Sequence, residues 1–247
     1  MRRIAALAGA ALAAGCAALP PAAPVAGARA EAGTLVLAGA EVEATWYRAD
    51  AAPAGLLLLQ HGFARRCANL RETALGFAAG GFTVLCLDAD MARGNAVLAT
   101  ALAAHLAQRA DAPRLVLAGH SAGGLFAARV AAALPAARVA GVLLFDPVDA
   151  AGALAPALAA VRAPAHAFVA PPAACNAQGN ARPALHAAAA TVVELGTGAT
   201  HLDVEGGDTE RLAVAACGDG PPRAEAVTRL RAQALQAAQA MALRPAP

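Results

Sequence analysis

Short, uninterrupted runs of apolar residues alternate along this chain with longer segments whose composition favours helices. Because the runs lack polar alternation, they predict strands of a parallel sheet that is covered on both faces. The predicted strands are 56–59, 82–87, 114–118, 139–145, 166–170 and 191–195, and the predicted helices are 70–79, 96–109, 122–134, 154–161 and 223–243. This alternation predicts an α/β fold with a doubly wound, mostly parallel sheet and helices on both faces.

The N-terminal part of the chain has a different character. Arg2 and Arg3 precede an apolar stretch, 4–19, as in an export signal. Residues 12–16 resemble a lipobox that would lead to lipidation of Cys16, whereas 28–30 fit a small-x-small cleavage site; an uncleaved anchor or a buried helix is the remaining alternative.

The segment 17–33, rich in Pro, Ala and Gly, is expected to be an unfolded linker, and 34–37 and 41–47 to form a hairpin. We therefore assign residues 1–30 to a signal plus linker and 31–247 to one folded domain. The predicted location is the periplasm or the extracellular space, with a lipid anchor as the one membrane link considered.

The charge balance excludes one class of partner. All 19 basic residues are arginine, against 17 acidic residues, and removal of Arg2 and Arg3 leaves the chain formally neutral. A neutral chain gives no electrostatic reason to expect a nucleic-acid partner. The abundance of alanine explains the mean hydropathy of +0.52 without a membrane span other than the N-terminal stretch.

Four cysteines follow Cys16, and an oxidising compartment would favour disulfides among them. Cys86 falls in a predicted strand and is expected to be a buried thiol. Cys175 and Cys217 lie in loops on either side of a histidine-containing segment, so we favour a disulfide between them. The spacing of the cysteines is poor for structural zinc, and no metal site is predicted.

The most informative motif is G-x-S-x-G at 119–123, placed between a predicted strand and a predicted helix. Ser121 would occupy a sharp, strained turn, and side chains at Gly119 and Gly123 would clash there. Such a turn exposes the serine hydroxyl as a nucleophile.

A serine nucleophile needs a base. Of the six histidines, His201 lies in a glycine-rich loop after the last predicted strand. In the order serine, acid, histidine along the chain, the base is expected there. His120 is expected to point away from the serine, His61 to brace a loop, and the rest to be structural.

The acid should come between the serine and the histidine in sequence. The strand 166–170 ends without a carboxylate, but the preceding strand ends at Asp146, which we favour as the acid. Asp149 is the second candidate, and Asp146 could instead merely open a turn before Pro147.

Acyl transfer also needs donors for an oxyanion. The backbone N–H groups of Ala122 and Phe63 fit this role, since Phe63 follows His61 and Gly62 at the end of a predicted strand. We also expect the Phe63 ring to form the floor of the acyl pocket.

Five segments together resemble the chlorophyllase and polyester-hydrolase-like branch of the α/β-hydrolase superfamily: HGFARRCANLRETA, GHSAGG, FDPVD, PPAACNAQGN and GATHLDVEG. The resemblance implies Asp146 as the acid and no cofactor. That branch often carries a cysteine directly after the catalytic histidine, where this chain has Leu202.

The expected function is cleavage of carboxylic esters, small or polymeric, by a monomeric serine hydrolase. The segment between Asp149 and the next strand has room for about one helix, so we expect no cap domain and an open cleft lined by small side chains. The alternatives are an amidase or peptidase, a thioesterase, or a non-catalytic binding protein on the same scaffold.

Overall fold

The computed structural model describes residues 27–50, 53–109 and 114–245. Within these ranges, the strands are β1 (Ala28–Leu37), β2 (Ala40–Ala49), β3 (Gly55–Gln60), β4 (Phe82–Asp88), β5 (Leu115–His120), β6 (Val139–Phe145), β7 (Ala165–Val169) and β8 (Thr191–Glu194). The helices are α1 (Arg71–Ala79), α2 (Ala96–Ala107), α3 (Ala122–Ala133), α4 (Leu154–Ala159), α5 (Arg182–Ala187), α6 (Arg211–Cys217) and α7 (Ala224–Leu243).

All eight strands form one sheet in the order β1-β2-β4-β3-β5-β6-β7-β8. The hairpin β1–β2 is antiparallel and joins β4 in an antiparallel pair, while every pair from β4 to β8 is parallel. The predicted α/β class, with a mostly parallel, doubly wound sheet, is therefore confirmed. The parallel strands all point their carboxyl ends toward the same edge of the sheet.

The apolar runs are unbroken because both faces of the sheet are covered. Leu56 and Leu58 pack into the core on the side of α2 to α5, whereas Leu57 and Leu59 pack on the opposite side against α1 and α7. Successive residues of a strand point to opposite faces, so a strand between two helical layers is apolar at every position.

The beginning of the folded region differs from the prediction. Residues 28–33 were assigned to the unfolded linker, but they belong to β1, which pairs with β2 from Ala28↔Ala49 to Leu37↔Ala40. Most side chains of β1 are exposed. This strand is held by backbone hydrogen bonds, which leave no hydrophobic pattern in the sequence.

Two disulfides link loops to the framework. Cys86, predicted to be a buried thiol, is instead bonded to Cys67, with the two Cα atoms 5.7 Å apart. The second disulfide joins Cys175 to Cys217, the pair proposed from the sequence. The prediction for Cys86 was wrong because the turn that leads into α1 brings Cys67 against this strand.

The region between β6 and β7 contains one six-residue helix, α4, and short turns. No cap domain is therefore inserted at this point. None of the helices in the described ranges is long and apolar enough to span a bilayer.

We expect the double substitution Cys67→Ala and Cys86→Ala to lower the free energy of unfolding by about 3 kcal/mol, because the bridge closes a loop of 19 residues. Urea unfolding followed by circular dichroism measures this change. Reductant should lower the midpoint of the wild-type protein as well. An unchanged midpoint in the double variant would contradict a stabilising bridge.

Candidate active site

Strand ends at the carboxyl edge of the sheet bring three polar side chains together. Ser121 follows β5 directly, Asp146 follows β6 directly, and His201 lies in the loop after β8. All three residues are at least nine-tenths buried. This edge is where ligands bind in parallel α/β sheets.

Ser121 stands at a strained turn. Its backbone has φ 54° and ψ −123°, a combination that costs about 1–3 kcal/mol in a residue other than glycine. The serine N–H donates to the carbonyl of Phe145 at 3.0 Å, and its own carbonyl accepts from the N–H groups of Gly124 and Val148. These contacts anchor the turn to β6, so the neighbouring structure compensates for the strain.

Two glycines permit the close approach of backbone segments around the serine. A Cβ atom on Gly119 would lie 2.0 Å from the carbonyl oxygen of Gly123, and one on Gly123 would lie 2.3 Å from that of His61. The glycines proposed for the turn therefore have a steric role, and no side chain fits at either position.

Asp146 is oriented by three hydrogen bonds to its carboxylate. Its Oδ1 accepts the backbone N–H of Ala170 at 3.0 Å, and its Oδ2 accepts from Asn176 Nδ2 at 3.0 Å and from His201 Nδ1 at 2.7 Å. Asp146 therefore contacts the predicted base.

The second acid candidate has a different role. The Oδ1 of Asp149 accepts the backbone N–H of Leu154 at the start of α4.

His201 is fixed at every polar atom of its backbone. Its N–H donates to Asp219 Oδ2 at 3.0 Å, and its carbonyl lies 2.9 Å from Nε2 of His120. Because Asp146 accepts the Nδ1 proton, Nε2 is the ring nitrogen of His201 left for proton transfer. The loop thus determines both the position and the tautomer of the imidazole.

A buried ion pair lies behind this loop. Glu205 is fully buried and accepts two hydrogen bonds from Arg65, at 2.8 Å and 2.5 Å. Burial raises the pKa of Glu205, and the guanidinium of Arg65 opposes this change. The bidentate pair ties the loop after β3 to the segment that follows His201.

His120 packs between these groups, with its ring 4.5 Å from that of His201. Burial lowers the pKa of His120 well below its usual value, so the ring is neutral at pH 7. A carbonyl can only accept, so Nε2 carries the proton and donates to the backbone of His201. His120 therefore supports the loop that carries His201.

The loop after β3 approaches the serine from the other side. A Cβ atom on Gly62 would lie 2.9 Å from Cβ of Ser121, so the backbone before Phe63 passes directly against the serine. Ala122 is the first residue of α3, and its N–H has no partner within the helix. The geometry brings both segments that carry the proposed oxyanion donors to the serine.

Ser121 and His201 line a cleft of about 290 Å³ together with mostly small side chains. The other lining residues are Gly62, Phe63, Ala64, Arg65, His120, Cys175, Leu202, Ala213, Ala216 and Cys217. Phe63 is 64% exposed, so its ring lies at the rim, and the expectation that it forms the floor of the pocket was wrong. A second groove, of about 580 Å³, shares Phe63, Ala64 and Arg65 with this cleft.

One cluster elsewhere has the residue types of a metal site. Ligand atoms of His61, Cys67 and Asp88 lie within 4.8 Å of one another. The sulfur of Cys67 is bonded to Cys86, so it is not free to bind a metal ion. His61 Nδ1 lies 2.9 Å from the carbonyl oxygen of Gly62 and braces the loop after β3.

Sequence reasoning did not identify four residues of this network: Arg65, Asn176, Glu205 and Asp219. Each lies in a loop and acts through a partner distant in sequence, so no local pattern marks it. The one signal was the segment PPAACNAQGN, where asparagine and glycine indicate a turn held by a side chain.

No protein-family model matches the chain, and neither does any curated protein. Solved structures do resemble it. A dienelactone hydrolase from Anabaena variabilis has 18% identity and a TM-score of 0.63, covering 85% of this chain and 96% of its own. The esterase domain of a Rhodothermus marinus protein has 19% identity and a TM-score of 0.61, covering 84% and 99%. At these identities the likeness is one of fold.

We expect Gly119→Ala and Gly123→Ala each to lower the free energy of unfolding by about 3 kcal/mol or more, because the added carbon meets backbone that cannot move aside. Urea unfolding measures the effect. Gly76→Ala is the matched control, since a Cβ there meets nothing within 4 Å and alanine favours helix α1 by about 1 kcal/mol. Equal stability of all three variants would contradict the steric role.

We expect the stability of the wild-type protein to fall as the pH drops from 7 to 5. The folded chain keeps His120 neutral because burial lowers its pKa, whereas the unfolded chain takes up a proton near pH 6.5. One such proton changes the free energy of unfolding by up to about 1.4 kcal/mol per pH unit.

His120→Gln should reduce this pH dependence. Its amide keeps a donor for the carbonyl of His201 but cannot titrate. Urea unfolding at several pH values makes the comparison, and an equal slope in the variant and the wild type would exclude His120 as a source.

Proposed function

We propose that this chain, which has the α/β-hydrolase fold, is a serine hydrolase that cleaves carboxylic esters. The observation that carries the proposal is the 2.7 Å contact between His201 Nδ1 and Asp146 Oδ2. His201 in turn lines a cleft together with Ser121, which stands at a strained turn. Ser121 is the only serine in the 247-residue sequence. Its placement at this turn supports a chemical role.

In the proposed reaction, the Ser121 hydroxyl gives its proton to Nε2 of His201 as its oxygen attacks the ester carbonyl. Asp146 holds the imidazole and stabilises the imidazolium that forms. The alcohol then leaves with the proton from His201, and water removes the acyl group from Ser121 by the same steps. The structure contains no hydrogen bond from the serine hydroxyl to a described residue, and such contacts often tighten only with substrate.

The tetrahedral intermediate places negative charge on the former carbonyl oxygen. The N–H groups of Phe63 and Ala122 are the proposed donors, and each donor of this kind contributes about 3–4 kcal/mol in comparable enzymes. The close contact between Gly62 and Ser121 supports this assignment, because it brings the Phe63 backbone to the side of the nucleophile.

The cleft supports esters with a short acyl group or a bulky, accessible one. Its walls carry Gly62, Ala64, Ala213 and Ala216, and α4 is too short to act as a lid. We therefore propose that ester cleavage does not require activation at a lipid–water interface. The adjoining groove beyond Phe63 is the proposed place for the remainder of a larger substrate.

We propose further that the enzyme is exported. Two disulfides support an oxidising compartment. Cys16, the candidate for lipidation, lies outside the described residues. The alternative cleavage site at 28–30 coincides with the start of β1, where removal of these residues would shorten the first strand.

Ser121→Ala should reduce hydrolysis of p-nitrophenyl butyrate at least about a thousandfold and abolish labelling by a fluorophosphonate, because the nucleophile is lost. With one serine in the chain, mass spectrometry of labelled peptides assigns the modified residue without ambiguity. Thr100→Ala is the matched control, since this exposed hydroxyl on α2 bonds only to its own helix.

Matched amide and thioester substrates separate the competing activities. Faster turnover of the amide or the thioester than of the ester would replace the proposed ester specificity. A folded wild-type protein that is inert to esters and to the fluorophosphonate would instead indicate a binding protein on the same scaffold.

A further inference from the structure

The side chain of Asn176 is fully buried in the segment that follows β7, directly beside the proposed acid. Its Nδ2 donates to Asp146 Oδ2 at 3.0 Å and to the carbonyl of Pro171 at 2.8 Å. Its Oδ1 accepts the backbone N–H groups of Ala173 at 2.8 Å and Gly179 at 3.0 Å. Both amide protons and the carbonyl oxygen of this side chain are therefore used.

These partners fix which end of the amide faces the acid. Backbone N–H groups can only donate, so the atom between Ala173 and Gly179 must be the oxygen. The NH₂ group is consequently the end directed at Asp146. Rotating the amide by about 180° would direct its NH₂ group at the backbone N–H groups of Ala173 and Gly179 and its oxygen at the carboxylate of Asp146. Neither contact would be a hydrogen bond.

Asn176 and His201 donate to the same oxygen of Asp146. Ala170 holds the other oxygen, so Ala170 and Asn176 together fix the plane of the carboxylate without help from the histidine. The orientation of the carboxylate thus does not depend on the imidazole alone. Without Asn176, one backbone N–H on the far oxygen would remain to hold it.

We propose that Asn176 is a positioning residue for the Ser121–His201–Asp146 triad. It orients the Asp146 carboxylate and shares the negative charge on the oxygen that His201 contacts. This inference rests on the proposed hydrolase function. A donor on Oδ2 draws charge from it and weakens its hold on an imidazolium. Asn176 therefore shares the negative charge that faces the imidazole of His201.

Other charged groups near the His201–Asp146 pair have different partners. The charged and titratable residues around the His201–Asp146 pair are His120, Glu205, Asp219 and Arg182. Among the described residues, none of these donates to Oδ2 of Asp146. Arg182 pairs with Glu194, and Glu205 pairs with Arg65. Besides His201, the neutral amide of Asn176 is the group among the described residues that donates to Oδ2 of Asp146.

The Cys175–Cys217 disulfide holds this arrangement in place. Cys175 precedes Asn176, and Cys217 ends α6, two residues before the Asp219 that accepts the N–H of His201. The bridge thus joins the loop that supports the acid to the loop that supports the base. A buried asparagine at the join has little freedom to leave Asp146.

The test uses Asn176→Asp and Asn176→Leu in the full chain. The aspartate keeps the volume and the acceptor oxygen but replaces the donor, and the leucine removes all four contacts. We expect kcat/KM for p-nitrophenyl butyrate to fall roughly ten- to hundredfold, as for a lost hydrogen bond to a charged group. We also expect the acidic limb of the pH profile to move to higher pH, further in N176D, because the imidazolium is then favoured.

Asn180→Leu and Asn180→Asp are the matched controls. Asn180 lies in the same loop and also makes two hydrogen bonds, but these go to the backbone of Asp149. Both control variants should keep the wild-type acidic limb. A shift of that limb in the Asn180 variants equal to that in the Asn176 variants would show a general loop effect and overturn the proposal.

The remaining outcomes are separable. A wild-type protein without esterase activity or fluorophosphonate labelling removes the proposed function, and this inference with it. An active wild-type protein whose N176D and N176L variants keep its rate and acidic limb overturns the inference alone. If thermal melting shows that N176L is unfolded, N176D is the deciding variant. If both variants are unfolded, Asn176 serves stability only and the inference is overturned.

Discussion

Two backbone segments meet at Ser121 at a distance that side chains do not permit. The carbonyl oxygens of Gly123 and His61 occupy the space that a Cβ atom would need at Gly119 and Gly123. Because β3 and β5 are neighbours in the sheet, this approach fixes the serine, the start of α3 and the loop at Phe63 relative to one another. The cleft and its candidate donors are consequences of this contact.

Charge in the site is balanced by hydrogen bonds more than by nearby cations. Asp146 carries a buried carboxylate whose three donors are a backbone amide, an asparagine amide and an imidazole. Arg65–Glu205, a buried bidentate ion pair at the cleft, lies behind the loop of His201.

The sequence allowed the central sheet to be predicted because strands covered on both faces must be apolar at every position. Strands β3 to β8 lie within two residues of the predicted bounds. Strand β1 could not be predicted in full, since its exposed side chains carry no pattern and its register comes from β2. Helices α5 and α6, of six and seven residues, were missed because fewer than two turns show little helical period. Helix α4 is equally short and was predicted only as part of the longer segment 154–161.

For the candidate site too, residues marked by local sequence motifs were predicted, and residues that depend on distant partners were not. Ser121 and His201 lie within three residues of glycines in local motifs, so their surroundings in the sequence suggested them. Asp146 was favoured from its position at a strand end, with Asp149 left open, and the contact with His201 distinguishes the two. Cys86 was wrongly predicted to be a free thiol, and Asn176 was not singled out. Their roles depend on Cys67 and Asp146, which only the folded chain brings near.

The bridge between Cys175 and Cys217 has a practical meaning for anyone who prepares this protein. A host that keeps thiols reduced would leave both disulfides unformed, so the chain would also lose the stabilisation expected from Cys67–Cys86. The segments at residues 171–181 and 211–219, which lie at the cleft wall, would then no longer be covalently linked to each other. Expression under oxidising conditions is therefore the appropriate starting point for any assay of the proposed activity.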